Sequence, residues 1–326
     1  MNVVSLFSGV GGLDLGFEKA GFDIIYANDK DKDVWETFEK NFPKTKLDTR
    51  SISNINSDEI PDCIGIIGGP PCQGWSEAGA LRGIDDPRGK LFYDFIRILK
   101  DKRPLFFLAE NVSGMLSKRN ADAVAKFKTL FAEVGYRLNV KLLNSKDYNV
   151  PQDRKRVFFI GYRNDLNIKF NFDKITKYKS ITLRETIQDL ENTAISAGNK
   201  NYSNPETIVA NHEYMTGGFS PIYMSRNRVR SWNEQSFTIQ AGGRHAPIHP
   251  SAPKMIKIEK NKQIFAPGKE QEYRRLTVRE CARIQTFPDN FIFHYDNIAK
   301  GYKMVGNAVP VNLAKAIAIA IIKNIS

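Results

Sequence analysis

The chain has 326 residues, 41% of them hydrophobic and 26% charged, with a formal net charge of +12. That is a globular composition, long enough for one large domain or a large one with a small companion, and its basic balance suits a polyanionic partner. Its three cysteines, Cys63, Cys72 and Cys281, are far apart and odd in number, which argues against a disulfide framework and for a reducing compartment; no metal-ligand cluster stands out.

In chain order, "NVVSLF" reads as a strand, "LDLGFEKA" as a short helix closed by Gly21, and "FDIIYAND" as a second strand. "VWETFEKNF" follows as helix, "CIGIIGG" as strand, "LFYDFIRILKD" as a helix stopped by Pro104, and "LFFLAEN" as a buried strand. From Asn120 to Gly135 the helix pattern returns, with Val124, Phe127, Phe131 and Val134 along one face, before strand-like "RLNVKLL" and "RVFFIGY". Strands and helices alternating at these lengths predict a parallel sheet covered on both faces. Beyond Arg163 the rhythm fails, and polar, Asn-rich sequence predicts a linker and a smaller, irregular, largely β domain. "LTVRECARIQTF", with Thr277 as cap and Glu280 three residues on, reads as a helix, and "VPVNLAKAIAIAIIKNI" as the terminal one. The opening "MNVVSLFSGV" lacks the basic start of a signal peptide, and the terminal apolar run is broken by Lys315 and too short for a bilayer, so a cytoplasmic protein is expected.

Three features carry chemistry. In "FSGVGGLDLGF" a strand runs into glycines and then a helix, so backbone can approach a ligand; Asp29 and Asp31 end the next strand, near the distance at which doubly wound folds place an acid on a ribose. An adenosine-containing cofactor fits, although the glycine spacing departs from the dinucleotide fingerprint and a plain tight turn reads similarly. In "GGPPCQGWSEAG", Cys72 follows two prolines on the loop after "CIGIIGG", and Glu110 ends the next strand. A thiol and a carboxyl therefore emerge from adjacent strand ends, while Cys63 and Cys281, inside regular apolar segments, read as small buried hydrophobes. Between Tyr223 and Arg244, Arg226, Arg228, Arg230 and Arg244 face a single acid, Glu234; a nucleic-acid contact and a solvated basic face are both open on this feature alone.

"GGPPCQGWS", "AENV", "QDRKR", "RRLTVRECARIQTFP" and "GNAVPV" resemble, in order, the motif series of the C5-cytosine DNA methyltransferases, and "FSGVGGLDLGF" is similar to their cofactor loop. The resemblance covers nearly the whole chain. "SRNRVRSWNEQSFTIQAGGR" resembles specifically the HaeIII-type enzymes that methylate GGCC. It implies a doubly wound, Rossmann-like methyltransferase sheet with a smaller, mostly irregular or β target-recognition domain. Residues 1–179 plus 300–326 would form the catalytic and cofactor domain and 180–299 the recognition domain.

By the same resemblance, the Cys72 thiolate adds to C6 of a cytosine flipped out of duplex DNA, Glu110 stabilises N3, Arg156 holds O2, and Arg154 helps to position Glu110 or a phosphate. The cofactor would be S-adenosylmethionine, with Phe7, Gly9, Gly11 and Gly12 beside its methionine part, Asp29 on the ribose, Pro70 as the far wall, and Asn307 and Val309 completing the site. Ser51, followed by Ile52, stands where the family usually has an acid for the adenine amino group; Asp48 is the alternative acceptor. Arg226 and Arg228, two apart in an extended segment, would point to one side and read guanines, with Arg230 and Arg244 near them. The loop from Gly74 to Lys90 would close over DNA. No metal is implied. A bacterial restriction-modification setting, a cognate endonuclease acting on the same site without stable complex, and a monomer are implied partners and state. An RNA-directed relative and a non-catalytic DNA-binding module on the same fold are the alternatives; the long arginine-bearing insert and the intact Cys72 and Glu110 weigh against them.

Overall fold

Strand β1(Asn2–Leu6) is buried along its length after Asn2, including the polar Ser5, because it runs through the middle of a sheet covered on both faces. The computed structural model describes residues 1–71 and 87–325. After β1 come α1(Gly12–Glu18), β2(Asp23–Asn28), α2(Lys32–Asn41), β3(Lys46–Asp48), β4(Gly65–Gly68), α3(Pro87–Lys102), β5(Phe106–Val112), α4(Ala121–Glu133), β6(Tyr136–Asn144) and β7(Lys155–Arg163). The seven strands order as β3-β2-β1-β4-β5-β7-β6. From β3 to β5 the neighbours are parallel, whereas β7 is antiparallel to both β5 and β6. The expected parallel sheet is corrected at this edge: only a single 3-10 turn, Ser145–Tyr148, and no α-helix lies between β6 and β7, and without a crossover helix the chain returns antiparallel.

These elements belong to a unit comprising Met1–Asn144, Lys155–Thr176 and Leu313–Ser326. Its interior is aromatic. Phe107 of β5 stacks on Phe131 at 4.3 Å, and Phe92 of α3 on Phe127 at 4.0 Å, which is the apolar face expected of α4. Leu313, Ile317 and Ile321, from the last helix, are fully buried.

The second unit comprises Ser145–Arg154 and Lys177–Asn312, so the segment holding Gln152 and Arg154 and the stretch 300–312 group here, outside the expected 180–299. It contains α5(Leu183–Ile187), β8(Ile195–Ser196), β9(Glu213–Tyr214), β10(Ile256–Glu259), β11(Lys262–Ile264), α6(Val278–Ile284), α7(Ile298–Asn307) and the start of α8(Val311–Ile325). Among the described residues its strands form only two two-stranded sheets; irregular backbone dominates over the expected β. Helix α6 begins where the sequence places it: Thr277 accepts from the Glu280 N–H while the Glu280 carboxylate accepts from the Thr277 N–H, a reciprocal cap. The 298–325 stretch has the length of a membrane span, and its most apolar 18-residue window has a mean hydropathy of 1.7, yet 72% of that window is buried inside the protein.

Candidate active site

The sheet order reverses between β1 and β4, and in such sheets ligands sit beyond the strand ends at this switch point. The loop leaving β1 is conformationally unusual. Phe7, a bulky residue, takes φ of 57°, and Gly9 takes φ of 56°, a region that L side chains rarely enter. Asp29, just past β2, explains how the turn is held: its Oδ2 accepts from the Gly9 N–H at 2.8 Å and its Oδ1 from the Asp31 N–H at 2.9 Å. A Cβ added at Gly9 would meet nothing within 4 Å, so the loop borders open space beside a fixed carboxylate. That arrangement fits a ligand carrying hydroxyls. Beneath the loop Asp14 is fully buried, and burial pushes its carboxyl up to about 7.

Ser51 and Ile52 follow β3. Ser51 is half-buried and its hydroxyl caps nothing, while Ile52 is buried. The short turn they open is pinned by α3: Asp94 accepts from the Ser53 hydroxyl at 2.5 Å, and Arg97 donates to the Ile52 and Ile55 carbonyls. Asp48, the alternative adenine acceptor, is engaged elsewhere. Its carboxylate takes hydrogen bonds from Arg50 and from the Tyr26 hydroxyl, and these hold it down at about 2. The Ser51 hydroxyl, by contrast, makes no cap hydrogen bond.

The strand end carrying Gly68, Gly69 and Pro70 lies between β1 and β5. Gly68 admits no side chain, since a Cβ there would fall 2.1 Å from the Leu6 carbonyl oxygen of β1. Glu110, near the end of β5, extends beside it: its Oε2 would lie 3.7 Å from a Cβ at Gly69. Antiparallel pairing sets Val112 opposite Arg156 on β7, which brings the Arg156 guanidinium onto the face of Glu110, Nε to Oε1 at 3.0 Å. Both side chains are largely buried, so the ion pair is weakly screened; burial lowers the Arg156 guanidinium and the Glu110 charge opposes that. Asn111, which the sequence reading did not single out, donates from Nδ2 to the Pro70 carbonyl at 3.0 Å and so ties β5 to the backbone two residues before Cys72. Cys72 itself, and the loop from Gly74 as far as Asp86, lie outside the described residues. Burial pushes the Cys63 thiol up to about 12 and raises that of Cys281, which favours the protonated form of both.

Arg154 departs from its expected role. Its guanidinium is fully buried and donates to the carbonyls of Ile239, Gly306 and Ala308 at 2.8, 2.9 and 3.1 Å. It is therefore a clamp on the turn that carries Asn307, which is exposed, and Val309, which is buried. Gln285 closes the same turn through the Val305 and Ala308 carbonyls, and Gln152 donates in turn to Gln285. Neither glutamine has a periodicity signal that would reveal it.

The profile of the family described as C-5 cytosine-specific DNA methylase matches residues 1–323. The chain is a C-5 cytosine-specific DNA methylase. It is similar to the type II methyltransferases M.FnuDI of Fusobacterium nucleatum, at 59% identity over 98% of this chain and 93% of the relative, and M.NgoPII of Neisseria gonorrhoeae, at 58% over 100% and 96%. Among solved structures, a DNA modification methyltransferase from an E. coli prophage superposes with a TM-score of 0.77 at 26% identity, covering 100% of this chain and 99% of that one. Spodoptera frugiperda DNMT2 superposes with a TM-score of 0.71 at 19% identity, covering 98% and 99%, and shares the fold. The reaction class is DNA cytosine-5 methyl transfer, and family and fold imply use of S-adenosylmethionine, for which the Gly9–Asp29 turn is a fitting cradle.

In the methylase's second unit the four arginines separate. Arg226 is exposed, but Arg228 is buried and donates to the Tyr223 and Ile222 carbonyls at 2.8 and 3.0 Å, with its guanidinium 4.7 Å from the Tyr223 ring. The expectation that both point to one side is corrected: the chain turns between them, because Asn227 folds back on the Val229 N–H and carbonyl. Arg230 pairs with Glu234 at 2.9 Å and lies over Phe237. Arg244 is exposed on a short turn whose Gly243 is packed against Met215 and Tyr302 too closely for a Cβ.

Proposed function

We propose that this methylase is the modification enzyme of a type II restriction system and methylates the inner cytosine of GGCC after turning it out of duplex DNA. The Glu110–Arg156 pair carries the reading, because a buried carboxyl anchored by a guanidinium beside the strand end that leads to Cys72 can grip the polar edge of one pyrimidine. S-adenosylmethionine would supply the methyl group, held with Asp29 toward the ribose, Phe7, Gly9, Gly11 and Gly12 beside the methionine part, Ser51 and Ile52 near the adenine, and Pro70 as a further wall. Cys72 sulfur bonds to C6 of the cytosine, and the displaced electron pair moves toward C5 while Glu110 hydrogen-bonds N3 and Arg156 holds O2. A bound S-adenosylmethionine would supply the methyl group to C5 and be left as S-adenosylhomocysteine; the C5 proton then passes to solvent water, and the C–H electron pair expels the Cys72 thiolate and restores the ring. A base inside the stack cannot meet Cys72 on its face, so extrusion is required.

Arg226 and Arg244 are the arginines free to reach guanine edges or phosphates, while Arg228 and Arg230 fix the shape of the segment that presents them. The enzyme acts as a monomer, alongside an endonuclease of the same specificity. Bisulfite sequencing of plasmid DNA from cells expressing the protein tests site and base together: conversion is blocked only at the inner cytosine of GGCC, and protection at any other sequence overturns the specificity. Glu110→Gln lowers the methylation rate about a hundredfold or more, with cofactor affinity nearly unchanged; a variant that keeps its rate removes Glu110 from the mechanism.

A further inference from the structure

The hairpin β10–β11 has no role in the reaction described above. All four residues of β10 are exposed, and among the described residues the two strands pair only with each other, Ile256 to Ile264 and Lys257 to Gln263. An isolated two-stranded hairpin is marginal on its own, so its base is anchored: Met255 packs with Tyr223, Val229 and Tyr273, Phe265 stacks on Tyr273 at 4.1 Å, and the Met255 N–H donates to Asn227 Oδ1 at 3.0 Å. Asn227 lies between Arg226 and Arg228. The hairpin is thus an arm fastened directly to the segment proposed to read bases.

The arm's chemistry differs from that of its neighbour. Between His245 and Tyr273 the sequence has five lysines and no arginine. Lys254, Lys257, Lys260 and Lys262 are exposed. Glu259 neutralises only Lys262, at 3.3 Å. Lysine is a point charge on a flexible stem, suited to phosphate, whereas bidentate base reading calls for the arginine fork.

We infer that the hairpin is a backbone clamp: Lys254, Lys257 and Lys260 bind phosphates of duplex DNA flanking the target site, adding affinity without sequence preference. The inference rests on the reading of the second unit as the target-recognition unit. A four-residue strand spans about 13 Å, or about four base pairs at 3.4 Å each.

The test is equilibrium binding of the full-length chain to 12- and 24-base-pair duplexes with one central GGCC, and to a 24-base-pair duplex without it, across a salt series. The triple variant Lys254→Gln/Lys257→Gln/Lys260→Gln weakens binding to both longer duplexes by the same factor, about tenfold or more. It lowers the slope of log K against log salt by about 2–3 and leaves the GGCC preference unchanged. It also loses the affinity gained from 12 to 24 base pairs, and Lys→Arg at the same positions retains it. An unchanged slope, or weakening confined to GGCC, overturns the clamp. So does a wild-type dimer that Ile256→Ser/Ile258→Ser converts to monomer while the lysine variant binds normally, because the hairpin is then a self-association surface. Arg226→Ala separates the two readings: it changes the GGCC preference if the unit recognises the target, whatever the lysines do.

Discussion

In the first unit the backbone of β4 is met by β5 strand to strand, in register from Gly65 opposite Phe106 to Gly68 opposite Ala109. In the second, one side chain does comparable work for irregular loops: Arg279 donates to the carbonyls of Ala210, Pro288 and Phe291 at 3.0, 3.3 and 3.0 Å. Arg275 does the same for Met215, Gly217 and Gly218, and Arg154 for the turn around Asn307. Buried backbone acceptors must be paired wherever they are. The sheet pairs them by repetition, which leaves side chains free to be apolar; irregular backbone needs long donors with several N–H groups, and arginine has five. A unit built largely of irregular loops therefore buries charged residues, and its arginines must be sorted by where their N–H groups go before any is assigned to a ligand.

The comparison is broken most sharply at Arg279. Arg279→Leu keeps the bulk but orphans the Ala210 and Phe291 carbonyls, while Pro288 keeps the Phe291 N–H; at about 1–3 kcal/mol each the second unit loses on the order of 2–6 kcal/mol. Arg283, whose partners Asp189 and Asp289 are exposed, costs about 1 kcal/mol or less on replacement by Ala. Urea unfolding of the two variants, with hydrogen exchange assigning the loss to α6, distinguishes them; equal costs would refute the carbonyl argument.

A second contrast lies in pH. Asp14 is raised to about 7 by burial, with Glu18 and Asp29 adding their negative charge and Ser5 opposing. The native first unit therefore holds its proton where the unfolded chain, near 4, has lost it. Its stability is greatest below about pH 4 as far as this group is concerned, and falls by on the order of 4 kcal/mol as pH rises to about 7. His249 behaves oppositely. Burial lowers it to about 4, with Arg274 and His212 in the same direction and Glu280 opposing, so the second unit is destabilised as pH falls from about 6.5 toward 4, by on the order of 3 kcal/mol. Hydrogen exchange on β1–α1 and on α6 between pH 4.5 and 7 should show protection moving in opposite directions, and Asp14→Asn should flatten the first trend alone.

The smallest effect sharpens the sorting of the arginines. Arg226→Ala costs about 1–3 kcal/mol of discrimination against one substituted guanine if it reads a base, and has little effect on folding. Arg228→Ala leaves the Tyr223 carbonyl unpaired, while Ile222 keeps the Ser225 hydroxyl, and lowers stability by about 1–3 kcal/mol, with weakened binding to every sequence. Thermal melting beside competition binding at fixed salt separates the two; a stable Arg228→Ala protein with relaxed specificity would return Arg228 to the base-reading set.

By itself the sequence determined the elements whose burial repeats. Strands β1, β2, β4 and β5, the Phe127 and Phe131 face of α4 and the Thr277–Glu280 cap all follow from periodicity and local hydrogen bonding, whereas the three-residue β3 is too short to show a period; the ordered motifs placed Glu110 and Arg156 at strand ends. Only tertiary structure decided that β7 runs antiparallel, that Glu110 and Arg156 meet at 3.0 Å, that Asp48 is consumed by Arg50 and Tyr26, and that Arg154 and Arg228 face inward. The physical reason is range. Apolar periodicity is written into neighbouring residues, whereas an arginine's destination depends on which carbonyls the fold leaves unpaired, some of them, like Gly306 and Ala308 for Arg154, more than a hundred and fifty positions away.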